Sequence, residues 1–205
     1  MTVYHHPPVA PDTSLPDPHQ DTFSKVIFGF WTYLMTDCLL FGTLFATYGV
    51  LHTHLFHGPG PRELFDIKLA FAETMVLLFS SLACGLAMLS AKKERVKHIL
   101  LWLAVTWVLG ASFIAMEFYE FHGLYQSGHS WDQSAFLSSF FTLVGTHGLH
   151  VSIGLIWMFI MICQVAYQGL NTDTFRRLIV FSLFWHFLDL IWVFIFTFVY
   201  LLGVA

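Results

Sequence analysis

FLSSFFTLVGTHGLHVSIGLIWMFIMICQVA, residues Phe136–Ala166, runs for 31 positions without a Lys, Arg, Asp or Glu. About 20 predominantly apolar residues cover the hydrocarbon core of a bilayer, so this stretch reads as a spanning helix. It still carries two ionisable groups, His147 and His150. Three positions apart, they project from one side of a helix.

Four further apolar segments resemble it: Val26–Leu51, Ile67–Ser90, Ile99–Phe121 and Leu178–Val204. Composition agrees with an integral membrane protein. The chain is 57% apolar with 23 phenylalanines and only 11% charged, against roughly 25% charged in an ordinary soluble domain. A soluble fold of this size would have to present too much apolar surface to water. The segments are continuous runs rather than alternating ten-residue strands, which excludes a β-barrel. The expected architecture is an all-α bundle of five transmembrane helices, residues 26–205, with no internal boundary.

Residues 1–25 differ in composition, with His5, His6, His19, five prolines and three aspartates. Without apolar residues to bury, they read as a flexible tail. They lack the basic start, apolar middle and small-residue cleavage site of a signal peptide, so the first helix is the expected insertion signal. Lys25, the group Lys92, Lys93, Arg95 and Lys97, and the pair Arg176 and Arg177 would share one membrane side, against Arg62 and Lys68 on the other. The positive-inside rule then places the N-terminus in the cytoplasm and the C-terminus outside. AKKERVKH, between the second and third helices, reads as a solvated turn obeying that rule. Arg176 and Arg177 are the candidate contacts for lipid headgroups. A net charge of −4, carried largely in loops, gives no basis for nucleic-acid binding.

Cys38, Cys84 and Cys163 lie inside spans without a CxxC spacing and read as small packing residues. Neither a glycine-rich phosphate loop nor a soluble catalytic triad can be assembled. Chemistry, if any, belongs to the intramembrane polar residues: Asp37, Glu73, Glu117, Glu120, His147, His150, His186 and Asp189. Such groups are expensive in hydrocarbon and mark function where they occur. At ~1.5 Å per residue they sort by depth. Glu73 and Glu117, with His147, form an outer layer; Asp37, His186 and Asp189 form a middle one, with His150 between.

Three readings of these groups stand open. Ligands converging from facing helices would make a metal or haem site, but the histidines enter at different depths. A Glu, Asp and His proton relay suits the residue types, but it needs contact or water across both leaflets. Alternatively the groups hydrogen-bond between helices and set their register. Gly145 and Gly148 read as small residues that allow close helix approach. Gly145, Ser152 and Gly154 mark the expected partner-facing side of the fourth helix. Trp185, Phe187, Trp192, Phe194, Phe196 and Phe198 surround the fifth, mostly as lipid-facing or interfacial anchors.

GTHGLHV and WHFLDLIWVFIF, together with MEFYEF and ETMVLLFSS, resemble subunit III of the haem-copper respiratory oxidases. The resemblance covers Phe28–Gly203, and the first two motifs are specific in combination. The five-helix form is similar to bacterial members. The opening helix GFWTYLMTDCLLFGTLFATY and the short tail are similar to the cytochrome o ubiquinol oxidase branch.

The resemblance implies an accessory subunit without a catalytic, metal or cofactor site of its own. It implies that haems and copper reside in subunit I as the main partner, that subunits II and IV complete the complex, and that phospholipid binds. Glu117, Glu120, His147, His150, His186 and Asp189 become motif residues that tie helices together, and Glu73 matches the bacterial pattern. The expected setting is a proton-pumping terminal quinol oxidase of the bacterial cytoplasmic membrane. A subunit of a cytochrome c oxidase or nitric oxide reductase, and a stand-alone metal or proton transporter, remain open.

Overall fold

The computed structural model describes residues 18–51, 67–126 and 134–204, helical throughout apart from short turns. The helices are α1 (Pro18–Leu51), α2 (Ile67–Lys92), α3 (Val96–Gln126), α4 (Ala135–Gln168) and α5 (Thr172–Ile195). After α5 the chain continues through a π-helical stretch, Phe196–Leu201, and a last turn, Leu202–Val204. Each of the five holds a segment long and apolar enough to cross a membrane.

Most helices outrun the apolar segments that announced them. α1 begins at Pro18 rather than Val26, and α5 at Thr172 rather than Leu178. Apolar runs register only the part in hydrocarbon, whereas backbone hydrogen bonding continues into the polar headgroup zone. Proline suits a first helical position, because its missing N–H is one that the helix could not satisfy. Residues 18–25 are therefore helix instead of tail. The rest of the expected tail, residues 1–17, and Arg62 lie outside the described residues.

The turns follow from local chemistry. Between α2 and α3, Glu94 adopts φ 54°, and the N–H groups of Lys93 and Arg95 both donate to the carbonyl of Ser90. Ser134 caps α4 by accepting from the Leu137 N–H at 3.1 Å. Gly169 closes α4 at φ 70° with its N–H on the carbonyl of Val165, a left-handed position that glycine takes without a side-chain clash.

α2, α3, α4 and α5 each pack on the next and α5 returns to α2, closing a four-helix ring; α1 lies outside, in the seam of α4 and α5. In lipid such helices are held by close packing and interhelical hydrogen bonds rather than by the hydrophobic effect. Trp185 shows both. Its indole lies between Gly110 of α3 and Gly154 of α4, where an added Cβ would approach ring atoms to 2.9 and 3.0 Å. Its Nε1–H donates to Ser80 Oγ at 3.0 Å, and Ser80 donates to the carbonyl of Thr106 at 3.3 Å.

That arrangement corrects the expectation for the fourth helix. Gly154 faces the bundle interior, not a partner. At about 100° per residue, Gly154 points roughly 180° away from Gly145, while Ser152 returns to the side of Gly145. The aromatic reading of α5 also divides. Trp185 and Trp192 are buried, whereas Phe194 and Phe198 are exposed on the outer surface.

Candidate functional site

The polar residues gather into three groups on different faces. The first lies inside the ring, where Glu73 and His147 are fully buried and Glu117 and Glu120 nearly so (4% and 8% exposed). The three glutamates interact electrostatically. Tyr200 donates its hydroxyl to Glu120 Oε2 at 2.9 Å. Tyr200 falls in the π-helical stretch, whose wider turn changes the register that an uninterrupted α-helix would give. Trp192 donates from Nε1 to Thr74 Oγ1 at 3.1 Å, and its indole meets Phe113 edge-on, with ring centroids 4.7 Å apart.

His147 sits among rings: Trp192 at 5.3 Å, Phe113 at 5.9 Å and Phe41 at 6.3 Å. Both imidazole nitrogens, both oxygens of Glu73 and Oε1 of Glu117 are buried without a hydrogen-bond partner among the described residues. Such groups are costly to bury unsatisfied. Glu117 presses on α4, with its carboxylate against the Cα of Gly148. It also lines a groove of about 210 Å³ between α3 and α4 with Gly145, Gly148 and Ser152.

The second group joins α1 to α4. His150 Nε2 lies 3.9 Å from Asp37 Oδ1, while its Nδ1 bonds the carbonyl of Thr146 at 2.7 Å. A carbonyl only accepts, so Nδ1 carries the proton and Nε2 is the nitrogen turned to the carboxylate. Phe41 lies beside both His147 and His150, its ring 5.3 Å from the latter.

The third group is on the outside. His186 is exposed on the surface of α5 and makes a 2.6 Å hydrogen bond through Nδ1 with Ser81 Oγ of α2. Asp189, half-buried one turn on, interacts with the same two residues. His186 thus joins α5 to α2 from the outer surface. α5 is apolar on nearly every side, so no polar stripe in its sequence marks which way it turns.

His147, His150 and His186 thus have separate surroundings. Among the described residues no set of three or more His, Cys, Asp or Glu side chains is arranged to hold a metal ion. The cysteines are free thiols. What the partnered groups can do is bond helices together. Their partners Tyr200 and Ser81, and the Trp192–Thr74 hydrogen bond, do not stand out in the sequence. A signal existed for one: Trp192 stands seven residues after Trp185, a spacing that keeps both on one helix face.

At one end of the bundle the basic residues converge. Arg176 and Arg177 line a groove of about 330 Å³ with Val26, Trp157, Asp173 and Val180. Arg177 donates to Gln164 Oε1 at 3.1 Å, and Arg176 faces Asp173 at 3.5 Å. Lys92 and Glu94 of the α2–α3 turn line a cavity with Asn171 and Thr172 from the α4–α5 turn.

Residues 9–204 match the sequence profile of the family described as Cytochrome c oxidase subunit III. The chain is 51% identical over 187 residues to cytochrome bo(3) ubiquinol oxidase subunit 3 of Pseudomonas aeruginosa, covering 91% of this chain and 90% of that one. It is 44% identical over 183 residues to the protein of that name from Buchnera aphidicola, covering 89% and 94%. It is 45% identical over 177 residues to cytochrome c oxidase subunit 3 of Bacillus sp. (strain PS3), covering 86% of each. With the five spans and the polar motifs in place, the chain belongs to the cytochrome c oxidase subunit III family.

Proposed function

We propose that this chain is the accessory, non-catalytic subunit III of a proton-pumping terminal ubiquinol oxidase in a bacterial cytoplasmic membrane. The observation that carries the reading is the 51% identity, over nine-tenths of both chains, to a protein named as subunit 3 of a ubiquinol oxidase. Subunit I is the main partner and holds the haems and copper; subunits II and IV complete the assembly. The complex oxidises ubiquinol and reduces oxygen, and this chain contributes assembly, lipid retention and support of proton uptake by subunit I.

The internal chemistry supports a supporting role. Asp37, Glu73, Glu117, Glu120, His147, His150, His186 and Asp189 act as an intramembrane polar network that sets helix register. The gathering of the Lys92–Arg95 turn and the Arg176–Arg177 pair at one end of the bundle supports a cytoplasmic N-terminus and an outside C-terminus. The groove beside Arg176 and Arg177 suits the phosphate of a phospholipid headgroup.

The test is gentle detergent purification with partner identification, an optical spectrum and oxygen-consumption assays. The chain is expected to co-purify with a haem-bearing subunit, and oxygen uptake should follow added ubiquinol. The relative from Bacillus sp. (strain PS3) favours a second reading, a cytochrome c oxidase subunit; uptake driven by reduced cytochrome c and not by ubiquinol would establish it. Recovery as a single chain with stoichiometric metal would instead favour a stand-alone transporter.

A further inference from the structure

The α2–α5 seam carries polar groups on its outer surface at a depth where lipid offers them nothing. Ser81 and His186 each lie roughly 20 Å along their helices from the first residue, taking 1.5 Å per residue. They enter from opposite ends and meet near mid-membrane. His186 is exposed, Ser81 and Asp189 are half-buried, and Asp189 Oδ1 has no hydrogen-bond partner among the described residues. Polar side chains at this depth ordinarily face protein or water.

Ser81 Oγ and His186 Nδ1 share a 2.6 Å hydrogen bond, which leaves Nε2 of His186 without a partner among the described residues. Gly85, one turn from Ser81 on the same face, leaves open space: an added Cβ would meet nothing within 4 Å. Small residues of this kind let a second helix approach closely.

We infer that the α2–α5 seam centred on His186, Ser81 and Asp189 docks a transmembrane helix of another subunit, one that presents a hydrogen-bonding side chain at mid-membrane depth. The inference rests on the proposed membership of an oxidase complex. That side chain bonds His186 Nε2, and an amide, which both donates and accepts, also suits the neighbouring Asp189.

The test uses the assembled complex. A benzophenone photocrosslinker replaces Leu78 or Leu190, exposed residues on the same helix faces as Ser81 and His186. Illumination should join this chain to a second subunit, and peptide mapping should place the product on a transmembrane helix with a hydrogen-bonding side chain nearby. In parallel, His186→Leu should raise loss of the chain during detergent washing roughly three- to fifteen-fold, as for one interhelical hydrogen bond. His186→Asn, which keeps a hydrogen-bonding group, should recover part of the loss. Crosslinks to lipid alone, from a haem-bearing complex that retains this chain, would overturn the docking surface. Failure to recover any haem-bearing complex would instead overturn the proposed function.

Discussion

The carboxylate of Glu117 lies against Gly148 so closely that a Cβ on that glycine would sit 2.6 Å from both carboxylate oxygens. An acidic side chain of α3 is thereby seated directly on the α4 backbone, inside GTHGLHV. The second glycine of that motif, Gly148, is set by the carboxylate opposite it as much as by the histidines beside it.

Gly148→Ala should therefore destabilise the bundle by about 1–3 kcal/mol, the range for an added methyl in a packed interior. Gly145→Ala is the matched control, since its added Cβ would meet only Phe121, at 4.0 Å. Thermal unfolding in detergent distinguishes them. Combining Gly148→Ala with Glu117→Asp should restore part of the loss by withdrawing the carboxylate. Equal melting for Gly148→Ala and Gly145→Ala would remove the contact from consideration.

Trp185 supplies a second steric test. Gly110→Ala and Gly154→Ala both drive a methyl into its indole, whereas Gly29 and Gly42 of α1 have no atom within 4 Å of an added Cβ. The first two substitutions should each cost about 1–3 kcal/mol. The two on α1 should be neutral or slightly stabilising, because alanine favours helix. Detergent melting curves for the four variants check the ranking.

Tyr200→Phe removes the donor that Glu120 receives at 2.9 Å while keeping the ring. The expected loss of stability is about 0.6–1.7 kcal/mol, as measured for interhelical hydrogen bonds in a membrane protein. The carboxyl stretching region of the infrared spectrum should change in the same variant, and Glu120→Gln should abolish that change. An unaltered carboxyl region in Tyr200→Phe would disconnect the two residues.

Trp192 joins α5 to α2 through Thr74 and packs edge-on against Phe113. Trp192→Phe should lose only the hydrogen bond. Trp192→Ala should cost about 3–5 kcal/mol by opening a cavity. Thr74→Val should match Trp192→Phe and add little to it, a coupling that a double-mutant cycle measures.

Arg177→Ala opens one wall of the groove it shares with Arg176, Val26 and Trp157. Native mass spectrometry should show less retained anionic phospholipid, with the helices intact by circular dichroism. Unchanged lipid retention would move the headgroup site elsewhere.

Residue order alone determined that the chain has five helices long and apolar enough to cross a membrane, and how far along its helix each polar residue stands. Apolar run length must match a bilayer, and position along a helix converts to depth at a constant rise. That arithmetic put Glu73 and Glu117 at one level, and the two interact electrostatically as buried residues. What the tertiary structure decided was rotation about each helix axis. A soluble helix shows its inner face by a polar stripe, but α5 is apolar nearly all round and gives no such mark. Hence Trp185 turned inward to Ser80, His186 outward to Ser81, and Gly154 away from Gly145 only when packing against neighbouring helices selected one angle for each.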